Sequence, residues 1–196
     1  METYPQIYKS ISKDCDRFKN YQLIQEAIRS IESTASSETV PVDMAWEIYY
    51  PKKEINIKIL DKQFIIPREL EKIKDEIEYS NQILALTENW DNEGAKPIDR
   101  DVYIEAIGLL IKSSTHIHNQ VFKVIDVPEI NPCPDGSVDL SWITRRARLL
   151  INVRKTESGI LAYFYGDLKN NVRPFKGSAS LDCLDHLEGW MRMYLI

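Results

Sequence analysis

The chain has 196 residues, of which 43% are hydrophobic and 28% charged, and this composition is ordinary for a globular protein with a sizeable core. No stretch reaches the ~18 consecutive apolar residues of a membrane span, and no basic and apolar leader opens the sequence, so we expect no membrane association. The formal net charge of -5 disfavours general nucleic-acid binding, because phosphate contacts need a positive field.

The cysteines and the short motifs limit the chemistry further. Cys15, Cys133 and Cys183 are widely spaced and odd in number, which predicts a reducing, cytoplasmic location and no disulfide framework. The sequence contains no Gly-x-Gly-x-x-Gly, Walker, Gly-x-Ser-x-Gly or His-Glu-x-x-His motif. We therefore expect no cofactor and no structural metal.

The hydrophobic pattern divides the chain into two parts. Apolar spacings of three and four, followed by a small and polar segment, predict an N-terminal helical extension and linker over residues 1–40. The pattern then alternates, which predicts a β-hairpin over residues 45–66 with strands at 46–50 and 54–60. Residues 41–196 are predicted to form one α+β domain.

Two central helices are predicted at residues 68–89 and 99–115, and a third at 180–195. The first is a core-facing amphipathic helix, with a coiled-coil helix as the alternative. Asp99 is suited to cap the second helix. The apolar residues of the first helix that follow the seven-residue rhythm are Leu70, Ile73, Ile77 and Leu84.

Residues 124–166 predict an antiparallel β-meander of three or four strands. The turn Pro134-Asp135-Gly136-Ser137 combines a preset φ, a side-chain hydrogen bond and a left-handed glycine. The strand after it places Val138, Leu140 and Trp142 on one face. The predicted fold class is α+β, with the meander packed against helices in two layers and a loop at residues 174–177.

The polar loop at residues 89–99 joins the two central helices. We expect Trp90 to anchor it in the core and Gly94 to supply a positive φ. Asp91 and Glu93 are candidate paired carboxylates for a metal or for acid–base chemistry. The alternative is structural, with Asp91 accepting hydrogen bonds from loop amides.

Histidine and cysteine offer two further candidate pairs. His116 and His118 are two residues apart, and Cys183 and His186 share a helical face. Each pair could contribute to a metal site, but neither has the four ligands that zinc requires. The alternative is surface histidines and a core cysteine.

Arginine is concentrated between residues 145 and 154, near two tyrosines. This combination suits phosphate, single-stranded RNA or an acidic protein partner. The alternative is a solvated hairpin tip whose arginines form ion pairs with acidic helices. The candidate binding residues are Arg145, Arg146, Arg148, Tyr163 and Tyr165, and Arg154 belongs to the same Arg145–Arg154 patch.

Two motifs resemble those of a recurrent small bacterial domain that carries a Trp-Asp-Gly-x-Gly-Ala-x-Pro loop and a later Asp-Gly-x-Ile-x-Leu-x-Trp strand. The likeness covers residues 75–165, and Asn92 stands where the family pattern has glycine. The resemblance implies accessory or mobile gene clusters, including toxin–antitoxin and phage-defence neighbourhoods, and it brings no catalytic residues. The matching residues are Trp90, Asp91, Gly94, Ala95 and Pro97, then Pro134, Asp135, Gly136, Leu140 and Trp142.

The leading prediction is a non-enzymatic, cytoplasmic interaction subunit that is antitoxin-, immunity- or scaffold-like. Its expected partner is a protein encoded nearby, such as a toxin, nuclease or ATPase, and a homodimer is a further option. One alternative is a metal-dependent nuclease or hydrolase subunit that uses Asp91 and Glu93. Another is a nucleic-acid-binding regulator that uses the Arg145–Arg154 patch.

Overall fold

In the computed structural model, the strands and helices of the described residues all belong to the unit Lys53–Ile196. The predicted extension at residues 1–40 and the predicted strand at 46–50 lie outside the described residues. Within the described part of the chain, no helix combines the length and the apolar character needed to cross a membrane. The structure describes residues 54–169, 174–181 and 185–196.

The described residues contain seven strands and three α-helices. Short 3-10 helices at Arg68–Leu70 and Asn81–Ala85 flank the first α-helix. In chain order the elements are β1 (Glu54–Ile59), β2 (Lys62–Pro67), α1 (Glu71–Ser80), α2 (Arg100–Val121), β3 (Glu129–Pro132), β4 (Val138–Ile143), β5 (Ala147–Thr156), β6 (Gly159–Leu168), β7 (Phe175–Ser180) and α3 (Asp185–Tyr194).

The strands form two antiparallel sheets, a β1-β2 hairpin and a five-stranded meander in the order β3-β4-β5-β6-β7. This confirms the predicted α+β class. The second strand of the predicted 45–66 hairpin, which is β1, pairs with the following strand β2, and Ile57 lies opposite Phe64. Phe64 and Ile66 alternate with polar or exposed neighbours, so β2 presents its own apolar face beside that of β1.

The meander has one strand more than the three or four predicted, because β7 occupies residues predicted as a loop and as the start of a helix. Its inward side chains are Phe175 and Ala179, with Gly177 between them. A Cβ at Gly177 would lie 2.8 Å from the ring of Phe164 on the neighbouring strand. Gly177 thus leaves room for this ring. Because a glycine replaces an apolar side chain there, the alternating pattern that predicts a strand is interrupted.

The first central helix is shorter than predicted, since α1 ends at Ser80 and not at residue 89. The Ser80 hydroxyl donates to the carbonyl of Ile77 and lies 2.8 Å from the hydroxyl of Tyr103. Hydrogen bonding of a serine to the preceding turn competes with the regular helix, and the chain continues as a 3-10 helix.

The second central helix is longer than predicted. It begins after Asp99, whose carboxylate accepts from the backbone amides of Asp101 and Val102, so the predicted cap is confirmed. It continues past residue 115 to Val121 and ends where Phe122 adopts a left-handed conformation at φ 53°. The last helix does not begin at residue 180 as predicted, because that residue belongs to β7, and its described part is Asp185–Tyr194.

The helices cover one face of the five-stranded sheet, which we call the inner face. Trp142 on β4 is 1% exposed, and its indole nitrogen donates to the carbonyl of Asp126 over 2.7 Å. At the other end of the sheet, Phe175 stacks on Trp190 of α3 at a centroid distance of 5.7 Å. The inner-face residues that are at most 1% exposed are Val138, Leu140, Trp142, Ala147, Leu149, Ile151, Val153 and Ala162.

Candidate functional site

In the loop at residues 89–99, Asp91 is a hydrogen-bond acceptor for the backbone. Its Oδ1 accepts from the amides of Glu93, at 2.8 Å, and Ala95, at 3.0 Å. These amides, that of Glu93 first, lower the pKa of the Asp91 carboxyl. Local hydrogen bonding therefore accounts for Asp91. Glu93 is exposed, and no group of three or more His, Cys, Asp or Glu side chains among the described residues is arranged to hold a metal ion.

The loop and the β3-β4 turn form one joint, which brings together the two motifs quoted above. The amide of Lys96 donates to the carbonyl of Pro134 over 2.8 Å, and that of Asp99 donates to the carbonyl of Gly136 over 3.2 Å. Gly136 has φ +88°, and a Cβ there would lie 3.0 Å from the carbonyl oxygen of Pro97. Both the conformation and the close approach require glycine at this position.

Trp90 is not anchored in the core as we predicted, because it is only half-buried. Its indole nitrogen donates to the carbonyl of Lys96 over 3.0 Å, so the side chain stabilises the loop to which it belongs. Gly94 has the predicted positive φ, +94°. Asn92 adopts φ 63°, a conformation that asparagine tolerates better than most residues, and so the loop keeps a left-handed residue without glycine there.

The two histidines lie on α2 and have different neighbours. His116 Nδ1 is 3.8 Å from a carboxylate oxygen of Glu188, whereas His118 Nε2 is 3.9 Å from one of Glu69. They therefore do not converge as the candidate metal pair requires. Cys183, the partner predicted for His186, lies outside the described residues.

The side of the five-stranded sheet opposite the helices carries the residues predicted for binding. We call it the outer face. The register places Tyr163 beside Asn152, and Tyr165 beside Leu150. Outward residues of the central and later strands are Asp139, Ser141, Ile143, Arg148, Leu150, Asn152, Arg154, Leu161, Tyr163, Tyr165, Asp167, Lys176, Ser178 and Ser180.

Large apolar and aromatic side chains lie exposed on the outer face. Ile143 is 72% exposed, Leu150 40%, Tyr163 37% and Tyr165 47%. In an antiparallel sheet with one solvated face, the outward positions are ordinarily polar. A group of exposed apolar side chains on that face is typical of an interaction surface.

The structure separates the arginines that the sequence placed in one patch. Arg145 and Arg146 lie in the turn between β4 and β5, and Arg148 starts the outer face opposite Asp167. Arg154 is six residues further along β5, or roughly 20 Å at the rise of a strand. Among the described residues, the ion pairs within 4.0 Å involve lysine or histidine and no arginine.

Asn152 is an outer-face residue that sequence reasoning missed. It is 9% exposed, and its amide nitrogen donates to Ser137 Oγ at 2.8 Å and to Asp139 Oδ1 at 2.7 Å. Its amide oxygen accepts from Nε of Arg154. Only one orientation of this buried amide satisfies the hydrogen bonds to all three neighbours. Asn152 therefore holds these side chains in place at the end of the outer face where Arg154 lies.

Cys133 lies at the edge of the same polar group. Asn152 Nδ2 is 3.7 Å from its sulfur. Burial raises the pKa of the thiol to about 11. Because the thiolate is the nucleophilic form, Cys133 is poorly reactive at neutral pH.

No protein-family model matches this sequence, and neither the curated proteins nor the solved structures include one with significant similarity to it. The resemblance to the small bacterial domain stays a prediction based on the residues quoted for it.

Proposed function

We propose that this protein is a non-enzymatic interaction subunit that binds another protein through the outer face of its five-stranded sheet. The observation that carries the proposal is the exposure of Ile143, Leu150, Tyr163 and Tyr165 on the side of the sheet away from the helices. These side chains lie outside the buried core, and a partner that covered them would remove apolar area from water.

The composition of the outer face supports a protein partner. Tyrosine and arginine are enriched in protein interfaces and among the residues that dominate binding energy. Tyr163 and Tyr165 lie two residues apart on β6, with Arg154 and Lys176 on the neighbouring strands. A central aromatic and aliphatic group with charges beside it corresponds to the usual order of an interface.

The cellular setting belongs to the same proposal and rests on the resemblance of the two motifs. We place the protein in the cytoplasm as an antitoxin-, immunity- or scaffold-like subunit of a bacterial toxin–antitoxin or phage-defence system. The proposed partner is a toxin, nuclease or ATPase encoded in the same gene cluster.

Single-stranded RNA is the second candidate ligand. Exposed aromatic side chains on an open sheet, with nearby cations, are the features on which unpaired bases stack. Tyr163 and Tyr165 have this arrangement. The net charge of -5 opposes it, because RNA binding depends on a positive field.

The proposal is tested by affinity purification of the tagged full-length protein from its own cells. The variant is Tyr163→Ala/Tyr165→Ala, and the matched control is Tyr79→Ala, since Tyr79 is 69% exposed on α1 and lies on a different surface. Loss of both outer-face rings should reduce recovery of a specific protein at least about tenfold, while the control recovers it in full.

Two outcomes count against the proposal. Equal recovery of every protein by the double variant and the wild type would remove the outer face as a binding surface. Recovery of RNA that depends on the two tyrosines and falls steeply with rising salt would favour the second candidate. Circular dichroism and thermal unfolding of each variant verify that the fold is retained.

A further inference from the structure

Arg154 is a charged side chain of the outer face that two contacts hold in one orientation. Its Nε donates to the amide oxygen of Asn152, and its guanidinium carbon lies 4.9 Å from the centroid of the Tyr163 ring. Stacking on an aromatic ring and a hydrogen bond at Nε together restrict a side chain that otherwise has many rotamers. Arg154 is exposed, so this orientation is presented to solvent.

The orientation depends on a chain of hydrogen bonds that begins in the β3-β4 turn. Asp135 Oδ1 accepts from the amide and the hydroxyl of Ser137. The Ser137 oxygen in turn accepts from Asn152 Nδ2, which also donates to Asp139. With both donors of the amide used, its oxygen must point toward Arg154.

The remaining donors of Arg154 have no ion-pair partner among the described residues. A guanidinium has five N–H donors, and the hydrogen bond to Asn152 uses only the one at Nε. No described carboxylate lies within 4.0 Å of Arg154, although Asp135 and Asp139 belong to the network beside it. With respect to the described residues, the two Nη groups are therefore available as a planar fork for an anion.

We propose that Arg154 binds a carboxylate side chain of the protein partner, in a segment that has apolar side chains next to that carboxylate. This inference rests on the proposed function and specifies the chemistry of its partner. The fork of Arg154, which lies over the ring of Tyr163, takes the carboxylate, and Leu150 and Tyr165, one outward row beyond Tyr163, contact the apolar neighbours. Asn152 and Tyr163 act as positioning residues for the guanidinium.

The charges of the outer face favour a single carboxylate over a polyanion. Cations at Arg148, Arg154 and Lys176 are interspersed with anions at Asp139 and Asp167. A phosphate backbone carries one charge per nucleotide and would meet the anions as well, whereas a protein segment with one acidic residue between apolar residues meets only the fork.

A matched pair of synthetic peptides tests the proposal. One peptide carries Glu between Leu and Tyr, and the other carries Gln in place of Glu. Each is titrated to about 10 mM, a range suited to weak ligands, into the ¹⁵N-labelled full-length protein, and the Arg154 Nε–Hε signal is followed by NMR. We expect the Glu peptide to shift this signal and to bind at least about fivefold more tightly than the Gln peptide.

The Arg154→Lys variant keeps the charge but loses the fork, and it should weaken binding of the Glu peptide by roughly tenfold. Arg68→Lys, at an exposed arginine in the first 3-10 helix, should leave binding unchanged. Equal binding of the Glu and Gln peptides, or the absence of any shift, would overturn the proposal. So would tighter binding of polyuridylate than of the Glu peptide at matched charge concentration.

The partner recovered by affinity purification separates this inference from the proposed function. If Tyr163→Ala/Tyr165→Ala loses the partner while Arg154→Lys retains it fully at every salt concentration, the outer face binds protein but not through a carboxylate at Arg154. If both variants retain the partner, the proposed function fails as well.

Discussion

The two faces of the five-stranded sheet both carry large apolar side chains, yet among the described residues the helices cover only the inner face. On the inner face Trp142 is 1% exposed, while Ile143, the next residue, is 72% exposed on the outer face. Successive residues of a strand point to opposite sides, so the same strand serves two surfaces. The difference indicates that burial in the core explains the apolar residues of the inner face, whereas the apolar residues of the outer face require another explanation.

The largest expected effect is on the inner face. Trp142→Ala removes a buried ring and its hydrogen bond to Asp126, and it should lower the free energy of unfolding by about 3–5 kcal/mol. Ile143→Ala is the matched control and should change it by less than about 0.5 kcal/mol. Urea denaturation of both variants measures the contrast, and equal losses would contradict the separation of the two faces.

Asn152 is the outer-face position where stability should also respond. Asn152→Ala leaves Ser137, Asp139 and Arg154 without their shared partner, and we expect a loss of about 1–3 kcal/mol. The same change should restore rotational freedom to Arg154, which NMR relaxation of its Nε–Hε signal detects. An unchanged signal would show that Asn152 does not position the guanidinium.

Trp90→Ala should have a smaller effect than its counterpart at Trp142. Because the ring is half-buried and its indole donates within its own loop, we expect a loss of about 1–2 kcal/mol, below the 3–5 kcal/mol of a fully buried tryptophan. Thermal or urea unfolding measures it. A loss as large as that of Trp142→Ala would restore our original expectation that Trp90 anchors the loop in the core.

The smallest effect on stability is expected for the exposed residues of the outer face. Leu150→Ser and Tyr165→Ser should each change the free energy of unfolding by less than about 0.5 kcal/mol, because little apolar area leaves the core. A loss above about 1.5 kcal/mol for either variant would show that the outer face supports the fold itself.

Features determined by neighbouring residues could be predicted from the sequence. The cap at Asp99, the positive φ of Gly94 and Gly136, and the alternation of Val138, Leu140 and Trp142 all depend on a few adjacent residues. For the same reason the α+β class could be predicted, since the spacing of hydrophobic residues within a short segment indicates whether that segment is a helix or a strand.

Features determined by contacts between distant residues were missed. The end of α1 at Ser80 depends on Tyr103, 23 positions later, and β7 depends on a glycine that fits the ring of Phe164. The network around Asn152 joins residues 13 and 15 positions apart across the sheet, and no pattern in the sequence marks them as neighbours. Tertiary context overrode local preference in each case.

The most direct test of the central claim, that the outer face binds a protein, is site-specific photo-crosslinking in the cells that make this protein. p-Benzoylphenylalanine replaces Tyr165 on the outer face or Tyr79 on α1, both of which are exposed. The account predicts a discrete protein adduct from position 165 and none from position 79. A folded protein that yields no adduct at position 165, or the same adduct at both positions, would contradict it.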